Sequence, residues 1–228
     1  MNYKLSIIIP ILNEADIIGK LLQYLLDNSL KENIAEIIVV DGGSMDSTVE
    51  IAASHADQII SSKKGRARQM NAGAAVASGE ILLFLHADSF LPRDFHYHLQ
   101  KFYVLDKVWG RFDVRIENEK RMFRIIEAMM NLRSRMTGIC TGDQAIFMKR
   151  SVFNRVGGFA IIPLMEDIEI SKRLRKISKP FCINNPTLTS ARRWLKGGIL
   201  PTILLMWWLR LAYHFGVSPE HLANHYYK

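Results

Sequence analysis

The sequence predicts an α/β fold with a mostly parallel, mixed central sheet and helices on both faces. Strand-like and helix-like segments alternate through the first hundred residues. The strand segments are continuous Ile/Val/Leu runs, as expected of strands covered on both sides. One of them ends in an Asp-Gly-Gly turn, which places a carboxylate at the carboxyl edge of the sheet, where open α/β sheets bind ligands.

The elements follow in order. Leu5–Ile9 reads as the first strand, and a helix after Asn13-Glu14 carries Ile17, Ile18, Leu21, Leu22 and Leu25 at helical spacing. A second strand, Glu36–Val40, runs into Asp41-Gly42-Gly43-Ser44. Asp46, Ser47 and Thr48 are good helix starters, and Val49, Ile51, Ala52 and Ala53 continue the helical face. A short strand at Gln58–Ile60, a helix around Arg68–Ala77 and a very apolar strand Ile81–Leu85 complete this half. Further on come a strand at Arg111–Ile116 and an amphipathic helix over Lys120–Arg135. The latter has Met122, Ile125, Ile126, Met129 and Met130 on one side, a stripe read as core or partner packing. A turn at Thr141-Gly142-Asp143, another short strand and helices at Arg150–Val156 and Asp167–Ile177 follow. Residues 1–194 are expected to form the α/β domain and 195–228 a hydrophobic helical extension.

The 228-residue chain is long enough for a substantial core, and 49% hydrophobic with 23% charged residues is ordinary globular composition. A formal net charge of +8 points to an anionic partner. No nucleic-acid-binding signature accompanies the basic run at Lys172, Arg173, Arg175 and Lys176, so nucleic acid is not expected as the ligand. Cys140 and Cys182, in no metal-like spacing, and the lack of a signal-peptide pattern point to a cytoplasmic protein with reduced thiols.

Several constellations carry chemistry. Asp88 leaves the Ile81–Leu85 strand at the sheet edge, where a carboxylate either caps the following turn or holds Mg²⁺ or Mn²⁺ together with phosphate oxygens. His86 is a second ligand, a sugar or phosphate contact, or a satisfied polar residue. Arg66 and Arg68 sit among small residues near a helix start, suited to phosphate or base recognition or to a solvated basic loop. Glu166 and Asp167 open a helix, either as dipole-favoured caps or as a general base for an acceptor hydroxyl. Arg192 and Arg193 can neutralise a departing diphosphate and Trp194 can stack on a sugar; alternatively the three are a basic helix start packed by a tryptophan. Asp143 and Gln144 are placed on the acceptor side, with turn closure by Asp143 as the alternative.

These pieces, in this order, resemble family 2 glycosyltransferases, which have the GT-A nucleotide-sugar-binding fold. The resemblance rests on Ser6–Glu14, Val40–Thr48, Asn71–Glu80, Leu83–Asp88 and Gly157-Gly158-Phe159 followed by Glu166-Asp167, and covers about residues 4–194. It implies inverting transfer from a nucleotide-diphosphate sugar, with UDP the leading guess, to an unidentified acceptor. It also implies a donor site from Pro10, Asn13, Glu14, Asp41, Ser44, Arg66, Arg68, Asn71, His86 and Ala87, a metal at Asp88, and Asp167, beside Glu166, as base. The family's metal motif usually begins with an acid; here His86 stands at that position. Gly65–Asn71, Leu85–Asp88, Gly142–Gln144, Pro163–Asp167 and Ser190–Trp194 further resemble a small stand-alone branch associated with arsenosugar biosynthesis.

Gly198–Tyr213 is apolar around nearly its whole circumference and is expected to be buried on more than one side. Its sixteen residues, at about 1.5 Å each, span roughly 24 Å, short of a ~30 Å hydrocarbon core. It therefore packs on the domain and a partner subunit, lies in the inner membrane surface, or spans; Trp207, Trp208, Arg192, Arg193 and Lys196 suit the surface option. A nucleotidyltransferase is the rival enzyme, but the first turn, Pro10–Glu14, lacks its glycine- and lysine-rich phosphate loop. A nucleotide-binding or membrane scaffold without turnover is the non-enzymatic rival.

Overall fold

A computed structural model describes residues 3–28 and 34–227. In chain order it contains β1 (Leu5–Ile11), α1 (Ala15–Asn28), β2 (Ile34–Asp41), α2 (Thr48–Ala53), β3 (Gln58–Ser61), α3 (Arg66–Val76), β4 (Ile81–Phe84), β5 (Ser89–Phe90) and α4 (Phe95–Val104). Then follow β6 (Trp109–Glu117), α5 (Arg121–Thr137), a 3-10 turn (Gly142–Gln144), β7 (Phe147–Lys149), α6 (Arg150–Val156) and α7 (Glu166–Leu174). The last elements are β8 (Phe181–Ser190), α8 (Arg192–Gly197), α9 (Ile199–His214) and α10 (Pro219–Tyr226).

Among the described residues one eight-stranded sheet runs β3-β2-β1-β4-β7-β6-β8-β5. β3, β2, β1 and β4 are parallel, β7 is antiparallel to both its neighbours, and β6 and β8 are again parallel. Alternate residues of β1 feed opposite cores, which is why its sequence is apolar throughout. Leu5, Ile7, Ile9 and Ile11 join Ile18, Leu21 and Leu22 of α1 and Phe95, Leu99 and Phe102 of α4. Ile8, with Ile38 and Val40 of β2, packs on Ala67, Met70 and Ala74 of α3 and Ile170 and Leu174 of α7. Full burial of each such Ile or Leu contributes about 1.5–3 kcal/mol. Pro10 fits inside β1 because the Ile8 carbonyl faces β4, accepting from Leu85 N–H at 3.0 Å. Pro10, two residues on, turns its nitrogen to the same side, beyond the last β1–β4 pair, Ile8 with Phe84.

Five elements were not read from the sequence: β5, α4, β8, α8 (beyond a helix start at Arg192) and α10. β8 is disguised by Asn184-Asn185-Pro186, a turn-like run that the ladder accommodates as a register shift opposite Phe112 and Asp113. Two packing expectations are met within the chain only in part. The α5 stripe splits, with Ile126 buried and Met130 partly buried, whereas Met122, Ile125 and Met129 are exposed. α9 is covered on one side only: Thr202 and Leu209 are its buried residues, and Leu200, Leu204, Trp207, Leu211 and Phe215 are exposed. Among the described residues α9 packs on α8, α10, the segment Leu164–Ile168 and the α5 cluster, which together cover one side of it. No helix among the described residues is long and apolar enough to cross a membrane.

Gly73 allows α3 to lie against the sheet: a Cβ there would sit 2.5 Å from Ile8 Cγ2 and 3.0 Å from Val40 Cγ2. Gly73→Ala should therefore lower unfolding stability by about 1–3 kcal/mol in a denaturant titration, the usual cost of overpacking.

Candidate active site

The carboxyl ends of β1 and β2 form one laced edge. Asp41 accepts backbone N–H bonds from Gly43 at 3.0 Å and Ser44 at 3.0 Å, so it shapes the turn that displays it. Asn13, in the left-handed region (φ 54°), accepts at Oδ1 from Met45 N–H (2.9 Å) and donates its own N–H to Ser44 Oγ (2.9 Å). Glu14 N–H donates to Thr48 Oγ1 at 2.8 Å. Behind these turns Gln69 of α3 donates from Nε2 to the carbonyls of Ile11 (2.7 Å) and Val40 (2.8 Å). Gln69 is buried and was not singled out by sequence; nothing in its motif distinguishes a strand clamp from a helix-face polar residue.

Arg66, Arg68 and Asn71 occupy the same helix but different surroundings. Arg68 is exposed on the first turn, and Arg66 Nη1 lies 3.6 Å from Glu166 Oε1. Asn71 engages Phe159 at both ends of its amide, donating to its carbonyl and accepting its N–H at 2.8 Å each. Its amide is thus taken up in holding the Gly157-Gly158-Phe159 loop. Pro10 and Ala87 are buried, which leaves them backbone and packing roles at this edge.

His86 and Asp88 follow β4, and His86 meets Asp143 of the 3-10 turn. His86 Nδ1 is 3.5 Å from Asp143 Oδ1. Desolvation in the cleft would raise the Asp143 carboxyl, yet the hydrogen bond and charge of His86, with Arg66 and Arg193, hold it below the ordinary carboxylate range. Asp88 is partly exposed, and its carbonyl accepts Ser190 N–H at 3.2 Å. Among the described residues no three His, Cys, Asp or Glu side chains group into a metal cage. The edge supplies the hard carboxylate of Asp88, which faces the charges of Arg192 and Arg193, while His86 leans on Asp143. That donor set fits a Mg²⁺ or Mn²⁺ ion shared with diphosphate oxygens, the usual binding mode of small hard cations.

Asp167 stands at the start of α7, which the left-handed Met165 (φ 71°) turns into the cleft. Its Oδ2 accepts Gly142 N–H at 3.0 Å and its Oδ1 accepts Ile168 N–H at 2.7 Å. Burial in the cleft wall and the neighbouring Glu166 charge push its carboxyl up to about 6. Glu166 is buried against Arg66. Gln144, expected to face the acceptor, is fully buried, its Oε1 accepting Thr141 N–H at 3.2 Å and its Nε2 donating to Asn131 Oδ1 at 3.3 Å. A buried amide in the 3-10 turn cannot reach a substrate, so the expectation for Gln144 is corrected to a role in shaping the turn.

The C-terminal extension closes one side of the cleft. Arg192 Nη2 bonds Glu14 Oε2 at 3.0 Å, bridging to the donor edge, and Arg193 lies 3.7 Å over the Tyr226 ring. Trp194, half-buried, packs edge-on to Phe123 of α5, centroids 6.3 Å apart. Leu209, Leu222 and Ala223 share a core with Leu164 and Met165, which precede α7, and Ile168 within it, and Tyr227 Oη donates to the Pro163 carbonyl at 3.4 Å. Arg133 of α5 was missed by the sequence reading. Its Nε and Nη2 are buried without a hydrogen-bond partner, and it is close enough to Asp167 for their charges to interact.

The fold resembles solved glycosyltransferases of the GT-A class. A mannosyltransferase from Pyrobaculum calidifontis, solved with GDP-Man and Mn²⁺, superposes with a TM-score of 0.63 at 21% identity, over 83% of this chain and 57% of that one. Residues 1–349 of TarS from S. aureus, solved with UDP-GlcNAc, give a TM-score of 0.68 at 16% identity, over 82% of this chain and 58% of that one. In sequence, the glycosyltransferase AglE of Haloferax volcanii is 36% identical over 90 residues, 36% of this chain and 30% of AglE. The cholesterol galactosyltransferase of Borreliella burgdorferi is 32% identical over 93 residues, 38% of this chain and 25% of that enzyme. The matched stretch thus spans under a third of either curated relative. The model of glycosyl transferase family 2 matches residues 6–163, well over half of the sequence, and the chain belongs to that family.

Proposed function

We propose that this protein transfers a sugar, with inversion, from a nucleotide-diphosphate donor to an acceptor hydroxyl, a UDP-sugar being the leading donor. The observation that carries this reading is Asp167, an acid on the first turn of α7 held by the N–H of Gly142, the residue packed against the His86 ring, with its pKa raised to about 6. At neutral pH it is ionised yet basic enough to take a proton, the range a general base needs. As the acceptor oxygen attacks the anomeric carbon, its proton passes to Asp167 and the bond from that carbon to the diphosphate oxygen breaks. Attack is direct, so no covalent sugar–enzyme intermediate forms. Glu166 acts on Asp167 through its charge and keeps Arg66 in place. Asp41, Ser44, Asn13 and Arg68 would hold the nucleoside, and Pro10 and Ala87 would line it with backbone. Asn71 is assigned a positioning role. Asp143 keeps His86 against the donor side, and Arg192 and Arg193 would face the diphosphate. A divalent ion held at Asp88 would offset diphosphate charge when bound. The donors seen in the P. calidifontis and S. aureus enzymes support the nucleotide-sugar class, and the Mn²⁺ in the former supports the ion. The likeness to the arsenosugar-associated branch supports a small stand-alone transferase and names no acceptor.

Asp167→Asn should lower kcat by about 10²–10⁴, the ordinary contribution of a positioned base, while nucleotide-sugar binding measured by calorimetry persists. Full activity in this variant would remove the proposed base. In the wild type, kcat/KM should fall about tenfold per pH unit below about 6, because a protonated carboxyl cannot accept the proton. Glu166→Gln removes a negative charge that raises Asp167, so its acid limb should move to lower pH. Asp88→Ala should lower kcat/KM at saturating donor-metal by at least about tenfold and raise the Mn²⁺ needed after EDTA treatment.

A further inference from the structure

We propose that the protein docks on an anionic lipid surface through the outward faces of α5 and α9, an interaction independent of the reaction assigned above. On α5, Met122, Ile125, Met129, Leu132 and Met136 recur at spacings of three and four and are 42–78% exposed. On α9, Leu200, Leu204, Trp207, Leu211 and Phe215 do the same and are 58–77% exposed, with Trp208 beside them. The two helices are not isolated: Phe123, Ile126 and Met130 of α5 share a core with Trp194, Ile199 and Ile203. Each helix therefore has its inner face fixed by the fold and its outer face apolar without cover from the chain. Single exposed apolar residues are ordinary on a protein surface, but two such rows on adjoining helices are not.

Charge selects the occupant. Residues 192–216 contain no acid; with Arg192 paired to Glu14 and Arg193 over the Tyr226 ring, Lys196 and Arg210 are the cations beside the α9 row. Over residues 120–137 Glu127 is buried and paired with Arg124, Arg135 is paired with Asp113, and Arg133 lies within reach of the Asp167 charge, which leaves Lys120 and Arg121, both exposed, as the cations beside the α5 row. Glu117 and Glu119 lie outside α5, just before its first turn. A second copy laid on this face adds a second set of the same cations, Lys120, Arg121, Lys196 and Arg210, whereas anionic headgroups complement them. Tryptophans beside an apolar row with a basic margin suit the headgroup–acyl boundary. α9 has 16 residues and is no membrane span, so the contact is one of lying on the surface.

The test is co-sedimentation of the full chain with vesicles of phosphatidylcholine, with and without about 30 mol% phosphatidylglycerol, a surface charge comparable to a cytoplasmic leaflet. Binding should require the anionic lipid, weaken at least tenfold in roughly 0.5 M salt, where the Debye length is only a few ångströms, and shift tryptophan emission to the blue. Leu204→Ser/Trp207→Ser on α9 and Met129→Ser/Leu132→Ser on α5 should each reduce partitioning at least tenfold. Because these side chains are exposed, thermal melting followed by circular dichroism should be unchanged. Lys196→Glu/Arg210→Glu should abolish the preference for anionic vesicles. Absence of binding, equal binding to neutral vesicles, or insensitivity to both apolar pairs would overturn the proposal. So would a dimer by analytical ultracentrifugation that the Leu204→Ser/Trp207→Ser pair dissolves, with no vesicle binding, since a second copy then covers the face. Loss of transferase activity in these variants without loss of vesicle binding would bear on the proposed reaction and leave the docking result standing.

Discussion

The buried amide of Gln69 ties the carboxyl ends of β1 and β2 to each other through the carbonyls of Ile11 and Val40, and the donor edge is built outward from that tie. Each bond contributes about 0.5–1.5 kcal/mol net. With the strand ends fixed, Gly42 N–H can close on the Ile11 carbonyl at 3.0 Å, and the Asp41 turn and the Asn13 turn can exchange hydrogen bonds. Gly42 has no side chain for a related reason: a Cβ would meet the Gln69 amide at about 3.0–3.1 Å. Three segments far apart in sequence thereby become one surface.

The opposite wall hangs on Gly142. Its N–H holds Asp167, and a Cβ there would lie 2.3 Å from the His86 ring. The backbone of one residue thus sets the distance between the edge that carries Asp88 and the carboxylate read as the base. The 3-10 turn around it is kept in shape by buried Gln144, and the segment Leu164–Ile168 beyond is packed from outside by Leu209, Leu222 and Ala223. The extension that begins near residue 195 is accordingly part of the architecture of the cleft, while its other surface stays apolar and open.

Much of the fold was legible because the strands of a doubly covered sheet must be apolar throughout, and Ile7–Ile9, Ile37–Val40 and Ile81–Leu85 announce themselves. The places of Asp41, His86, Asp88 and Asp167 in the fold were legible because each ends or follows a strand or opens a helix beside small residues; the roles proposed for them rest on the reading above. What stayed hidden depends on partners distant in sequence. β8 reads as turn chemistry until its register shift against β6 is seen. Gln69, Gln144 and Asn71 are amides whose roles depend on which backbone they meet. Arg133 sits in the middle of an apparently ordinary amphipathic helix. The apolar circumference of α9 signals burial by composition, but composition does not say how much neighbouring surface the fold provides to cover it.

The most direct measurement is a thermal-shift panel of UDP-, GDP- and dTDP-sugars, each with and without Mn²⁺, on the full chain. A ligand stabilises only the state that binds it, so a donor site spanning Asp41 and Asp88 predicts stabilisation by one nucleotide class that grows when Mn²⁺ is added. Stabilisation by none of these donors, in either condition, would contradict the nucleotide-sugar site.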